Sequence, residues 1–211
     1  MSGHVTLLGD SIFDNSSYTE GQPDVVAHLR SVLPAGWKAT LLAVDGSTTA
    51  RLADQVGGIP RDATCAVVSI GGNDVLYHAG LLDRRVASTR DALLLFGELA
   101  AGFEADYRAA LETVLAAGKP TTVCTIYEGN LPEEQAAAAR VALMPFNDAI
   151  LRVAFAFGLP VIDLRFICST PSDYANPIEP SGSGGRKIAQ AIVASLGLGT
   201  TPARQARVFA G

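Results

Sequence analysis

Cysteine and histidine are scarce in this chain of 211 residues, which has three of each. The cysteines are too few for a disulfide framework and their spacing matches no zinc-binding pattern; they are Cys65, Cys124 and Cys168. The histidines stand singly along the chain. We therefore expect neither disulfide bonds nor a metal site.

Long apolar runs are also missing. No stretch reaches the ~18 consecutive apolar residues that a membrane-spanning helix needs. The richest region, 141–160, is interrupted by a proline and several polar residues, and the apolar run at 5–8 is too short for the core of a signal peptide. These absences predict no membrane span and a cytoplasmic location.

Basic residues are outnumbered, with 16 Lys and Arg against 21 Asp and Glu, and the net charge is −5. This balance argues against a nucleic-acid partner. Hydrophobic residues make up 48 % of the chain, which excludes the disordered class. The length suits one domain, which we place at 1–199, followed by a flexible tail at 200–211.

Short apolar runs alternate with longer helical patterns along the whole chain. The runs rich in branched residues predict five strands, at 4–9, 37–44, 65–70, 121–126 and 160–164. The helical patterns predict helices at 23–33, 48–56, 86–117, 132–157 and 182–196. We expect the third helix to break near Gly97 or Gly102, and Pro145 to kink or split the fourth.

This alternation predicts an α/β fold with a parallel sheet covered on both faces. Five strands with crossover helices favour a flavodoxin-like, three-layer α/β/α sandwich with strand order 2-1-3-4-5. In such sheets the functional site lies at the carboxyl ends of the strands. The residues that follow each strand are therefore the candidates for function.

The first three strands are followed by loops with glycine and small polar residues. The first loop contains Gly9-Asp10-Ser11, in which the glycine permits a tight turn and the serine stands exposed as a nucleophile would. The second contains Gly46, and the third reads Gly71-Gly72-Asn73-Asp74. Each loop alone is weak evidence, because an ordinary turn or a helix cap would look much the same, and for the second loop alone the ordinary turn is the favoured interpretation.

Together the three loops resemble the SGNH, or GDSL-type, serine hydrolase family, and the resemblance covers essentially the whole chain. It implies that Ser11 is the nucleophile. It also implies an oxyanion hole made by the Ser11 N–H, the Gly46 N–H and the Asn73 side-chain amide, with Asp10 and Asp74 as supporting residues. Three fixed donors facing a developing negative oxygen are what acyl transfer requires, and no cofactor is needed.

The last block of the family pattern is altered in this chain. The family has Asp-x-x-His before the final helix, whereas this chain has Asn176-Pro-Ile-Glu179. We interpret Glu179 as the base and Asn176 as the amide that holds its carboxylate. The following helix N-terminus would lower the basicity of Glu179, and burial near Ile178 and Phe166 would raise it.

Three further residues near these loops have alternative roles. His78, four residues beyond Asp74, is the other candidate for the base, although a surface position or a substrate contact fits it as well. Asp173 is a candidate for lining the cleft. Arg165, just after the fifth strand, would bind an anionic group of a substrate or form an ion pair.

The sequence therefore predicts a serine hydrolase that cleaves a small-molecule ester or thioester through an acyl-enzyme on Ser11. Two alternatives remain. A catalytically silent binding protein on the same fold is favoured by the missing histidine and opposed by the intact loops. An acyltransferase would use the same acyl-enzyme with an acceptor other than water.

Overall fold

The computed structural model describes residues 2–199, 206 and 208. The tail predicted at 200–211 lies outside the described residues except for those two positions. Five strands form the sheet: β1 Gly3–Gly9, β2 Trp37–Leu41, β3 Cys65–Ser69, β4 Thr121–Cys124 and β5 Val161–Ile162. All neighbouring strands are parallel, and their order is β2-β1-β3-β4-β5, so the predicted fold and strand order are confirmed.

Seven α-helices connect and cover the strands within the described residues. They are α1 Val25–Val32, α2 Leu52–Val56, α3 Gly72–Leu76, α4 Thr89–Leu115, α5 Glu133–Ala156, α6 Leu164–Ile167 and α7 Gly182–Ser195. Short 3₁₀ segments lie at Ser16–Tyr18, Thr49–Arg51, Ala79–Asp83 and Pro171–Asp173. None of the helices in this part of the chain is long and apolar enough to cross a membrane.

Two hydrophobic clusters cover the two faces of the sheet. On one face α1 and α7 pack against each other and bury Leu29 and Ile188. On the other face α4 and α5 bury Leu111 and Ile150, together with Leu52 of α2. Because both faces are covered, the edge formed by the carboxyl ends of the strands is the natural place for a ligand.

The two longest helices do not break where the sequence predicted. Helix α4 runs without interruption through Gly97 and Gly102, which lie on its exposed side. Each glycine costs about 1 kcal/mol relative to alanine. The buried stripe that includes Phe103 and Tyr107 offsets this cost through packing. Helix α5 likewise continues through Pro145, directly before the buried Phe146, so of the two predicted outcomes, a kink or a split, the split does not occur.

Candidate active site

The loop after β1 leaves the sheet through a position that only glycine can occupy. Gly9 has a φ of +133°, and a Cβ there would lie 1.7 Å from the carbonyl oxygen of Ser69 on β3. The Gly9 N–H donates to Gln55 Oε1 at 2.7 Å, and Gln55 Nε2 donates back to the Gly9 carbonyl at 2.8 Å. The Asp10 N–H then donates to Ser69 O at 3.1 Å. These contacts fix the start of the loop that carries Ser11.

Ser11 is hydrogen bonded to Glu179 across the carboxyl edge of the sheet. The Ser11 hydroxyl donates to Glu179 Oε1 at 3.0 Å, although the two residues are 168 positions apart in the sequence. Both are buried, with exposed fractions of 7 % and 6 %. A hydroxyl beside a carboxylate at this distance has an acceptor for its proton, as an activated nucleophile requires.

Burial makes Glu179 a stronger base than an ordinary glutamate. Loss of hydration raises its pKa from 4.5 to about 7, while the hydrogen bond from Ser11 opposes the rise and the negative charge of Asp45 adds to it. Its second oxygen, Oε2, is buried without a hydrogen-bond partner among the described residues. Burial therefore outweighs the lowering that we expected from the following helix. Phe166 is 79 % exposed and does not supply that burial.

Residues 174–180, the base loop, form a closed turn around Glu179. Tyr174 and Pro180 make an antiparallel bridge, and the Ala175 N–H donates to the Glu179 carbonyl at 2.9 Å. Asn176 Oδ1 accepts from the N–H groups of Ile178 and Glu179, both at 2.9 Å. The predicted contact between Asn176 and the Glu179 carboxylate is therefore wrong, because the Asn176 side chain shapes the backbone of the turn instead.

Two residues that the sequence analysis missed tie the base loop to its surroundings. Tyr127, after β4, donates its hydroxyl proton to the carbonyl of Ile178 at 2.5 Å. Asn15, on the loop after β1, donates through Nδ2 to the carbonyl of Pro180 at 3.0 Å. The sequence signal that could have pointed to Asn15 was its position, four residues after the predicted nucleophile Ser11.

Two of the predicted oxyanion donors, Ser11 and Gly46, follow β1 and β2, and the third, Asn73, lies in the first turn of α3. Asn73 Nδ2 donates one hydrogen to the Ser47 carbonyl at 2.9 Å, which leaves its second hydrogen for a ligand. Gly46 has a φ of +75°, and the chain just before it is held by a bond from the Val44 N–H to Gly9 O at 3.1 Å. Within the described residues, the N–H groups of Ser11 and Gly46 have no hydrogen-bond acceptor.

The two predicted supporting aspartates stabilise the same loops. Asp74 accepts from the Thr49 hydroxyl at 2.6 Å and from the Thr49 N–H at 3.1 Å, which joins the second and third loops. Asp10 accepts from the Ile12 N–H at 3.1 Å. Burial raises the pKa of Asp10 to about 8, and the nearby charges of Glu179 and Asp74 add to this rise. Burial and these charges thus favour the protonated form of Asp10.

Asp173 does not line the cleft, contrary to our prediction. Its side chain is fully buried and lies 2.6 Å from Lys187 Nζ. It also accepts from the Ser169 and Thr170 N–H groups, both at 3.0 Å. These bonds and the ion pair hold its pKa below the usual range in spite of burial. Asp173 is thus a structural anchor for the segment that precedes the base loop.

His78 and Arg165 both contact neighbouring side chains in the structure. His78 is half-buried, packs edge-on against the ring of Tyr77, and makes no hydrogen bond to Ser11. Arg165 pairs with Asp163 through two bonds, one of them from Nε at 2.8 Å. Arg165 also borders a polar depression of about 180 Å³ beside the base loop.

Comparison with known protein families gives a match that covers most of the chain. Residues 7–186 match the GDSL-like lipase/acylhydrolase family. The chain belongs to this family. Membership makes it a hydrolase of the esterase type, and the predicted resemblance is confirmed. No curated protein matches this hydrolase in sequence.

Solved structures share the fold of this GDSL-like hydrolase at low sequence identity. A phospholipase A1 from Streptomyces albidoflavus NA297 matches with a TM-score of 0.70 and 13 % identity, covering 92 % of this chain and 100 % of its own. An extracellular lipase from Streptomyces rimosus gives 0.68 and 16 %, with 92 % and 100 % covered. The acetyl xylan esterase AlAXEase gives 0.64 and 16 %, with 92 % and 99 % covered.

Proposed function

We propose that this GDSL-like hydrolase cleaves carboxylic esters or thioesters through an acyl-enzyme on Ser11, with Glu179 as the general base. The observation that carries the proposal is the buried hydrogen bond of 3.0 Å from the Ser11 hydroxyl to Glu179. A carboxylic ester is also the substrate that the names of the three solved relatives have in common.

The chemistry follows from the positions of these groups. Ser11 Oγ attacks the carbonyl carbon of the ester while its proton moves to Glu179, and the carbonyl oxygen takes up the negative charge. The N–H groups of Ser11 and Gly46 and the free hydrogen of Asn73 Nδ2 stabilise that oxyanion. As the bond to the leaving oxygen or sulfur breaks, Glu179 gives its proton to the leaving group.

Water then completes the cycle. It attacks the acyl carbon and gives a proton to Glu179, which returns it to the Ser11 oxygen as the acid product leaves. The raised pKa of Glu179 suits both halves of the cycle, because a base with a pKa near 7 both accepts and returns a proton at neutral pH. An ordinary histidine, with a pKa of about 6.5, has nearly the same proton affinity.

The bond between Ser11 and Glu179 also supports an active enzyme over a silent binding protein. The histidine of the family pattern is absent, but a carboxylate with comparable basicity lies at hydrogen-bond distance from the nucleophile. A small-molecule ester as substrate and a cytoplasmic location complete the proposal.

Labelling with a fluorophosphonate probe tests this assignment without knowledge of the natural substrate. We expect the probe to label the wild-type protein, and Ser11→Ala to abolish labelling. Ser16→Ala removes an exposed serine from the same loop and serves as the matched control. Labelling of Ser11→Ala at the wild-type rate, or no labelling of the wild type, would contradict the proposal.

A further inference from the structure

Two side-chain hydrogen bonds join the loop of the nucleophile to the base loop within the described residues. One runs from Ser11 to Glu179 and the other from Asn15 Nδ2 to the carbonyl of Pro180. They start four residues apart on one loop and end on adjacent residues of the other. The two bonds thus restrain the same pair of segments.

The side-chain amide of Asn15 makes two hydrogen bonds, one to each side of this junction. Its side chain is fully buried, and its Oδ1 accepts from the N–H of Val25, the first residue of α1, at 3.0 Å. Its acceptor, Pro180, has a φ restricted by the proline ring, and a proline also restricts the backbone of the residue before it, here Glu179. Holding the Pro180 carbonyl therefore restrains the backbone that carries the proposed base.

The two bonds differ in what happens to them during the reaction. In the free enzyme Ser11 carries a proton and donates it to Glu179, so this bond itself aligns the base. In the acyl-enzyme the Ser11 oxygen is bonded to the acyl carbon and has no proton to donate. The bond from Asn15 to Pro180 involves no reacting atom, so the chemical steps do not remove it.

From this difference we infer that Asn15 is a positioning residue for deacylation, which holds Glu179 in place while water attacks the acyl-enzyme. The inference rests on the proposed function. It follows that loss of Asn15 slows the second half of the reaction more than the first. A residue that only stabilised the fold would not separate the two halves.

Kinetics of Asn15→Ala with a p-nitrophenyl ester test this inference. Because kcat/KM reports acylation and kcat includes deacylation, we expect kcat to fall by about tenfold or more while kcat/KM changes by less than about threefold. A burst of p-nitrophenol close to one equivalent of enzyme should precede the steady state, as the acyl-enzyme accumulates.

Thr125→Ala is the matched control. Thr125 is buried, and its hydroxyl also donates one hydrogen bond, to Asp163, and accepts one, from the Leu164 N–H, away from both loops. We expect this variant to lose a similar amount of stability with both kinetic constants unchanged. If Asn15→Ala does not fold, Asn15→Ser fills part of the same space with a polar side chain that lacks the Nδ2 donor to Pro180, and the same kinetics apply to it.

The possible results distinguish a failure of the proposed function from a failure of the inference about Asn15. If the wild-type protein neither hydrolyses the ester nor reacts with a fluorophosphonate, the proposed function fails. If the wild type is active and the Asn15 variant loses kcat and kcat/KM equally, or loses neither, the inference about Asn15 is overturned. A selective loss of kcat with the burst supports it.

Discussion

Replacement of Glu179 by glutamine separates catalysis from structure at the centre of the site. Gln keeps the size of the side chain and an acceptor oxygen for Ser11, but it cannot take up a proton. Since loss of a general base costs about 10²–10⁴ in rate, we expect Glu179→Gln to lower kcat by that factor.

The structure also predicts whether Glu179→Gln raises or lowers the free energy of unfolding. Among the residues that the structure describes, the carboxylate accepts from the Ser11 hydroxyl and from no backbone N–H, so the variant loses no helix cap. Because the pKa of Glu179 is raised in the folded state, its contribution to stability is complete below pH 4.5 and is lost as the pH rises through about 7. The difference between a pKa of 4.5 and one of about 7 corresponds to at most about 3 kcal/mol in the free energy of unfolding. Glu179→Gln, which stays neutral, should therefore be more stable than the wild type at pH 9 by up to about 3 kcal/mol.

Two measurements check this prediction: hydrolysis of a p-nitrophenyl ester at pH 8, and urea unfolding at pH 5 and pH 9. Glu128→Gln is a suitable control, since Glu128 is a half-buried carboxylate near the base loop that has no proposed role in proton transfer. A Glu179→Gln variant with unchanged turnover and a lower free energy of unfolding at both pH values would refute the reasoning. Such a result would make Glu179 a structural residue.

Three further predictions concern the surrounding groups. The rate of ester hydrolysis should rise with pH, with a midpoint near 7, as Glu179 ionises. His78→Ala should show the same pH profile. If the rate of this variant no longer rose with pH on the acid side, His78 rather than Glu179 would be the base. Asn73→Ala should lower kcat by about 10²–10³ with little change in KM, and a change confined to KM would remove Asn73 from the oxyanion hole. Asp10 has a folded pKa of about 8, so its stabilising contribution is lost as the pH rises through that value. Asp10→Asn should therefore flatten the decline of unfolding free energy between pH 5 and pH 9, and an unchanged decline would contradict the burial argument.

The strand order could be predicted from the alternation of strands and helices, and the family from loop motifs that are local in the sequence. Each of the first three strands is followed by its own glycine-containing loop, and because the strands are parallel these loops leave the sheet at the same edge. Gly9 shows how strict such a signal is, since any Cβ there would overlap the Ser69 carbonyl.

The roles of Asn176 and Asp173 could not be predicted in the same way. Sequence spacing showed that Asn176 lies three residues before Glu179, but it did not show that Asn176 Oδ1 would cap the backbone of the turn. Asp173 was assigned to the cleft because of its loop, whereas the ion pair that compensates its buried charge comes from Lys187 on α7, 14 residues later in the chain. The basicity of Glu179 is likewise a consequence of burial, which sequence spacing does not report.

The separation of 168 residues between Ser11 and Glu179 has a consequence for folding. The nucleophile follows the first strand and the base precedes the last helix, so their contact closes a loop that contains nearly the whole sheet. Contacts of such long range form late, because the chain entropy lost on closing the loop is regained only when the intervening structure is in place. During refolding, reactivity of Ser11 should thus return after secondary structure, which makes the active site a reporter of complete chain assembly.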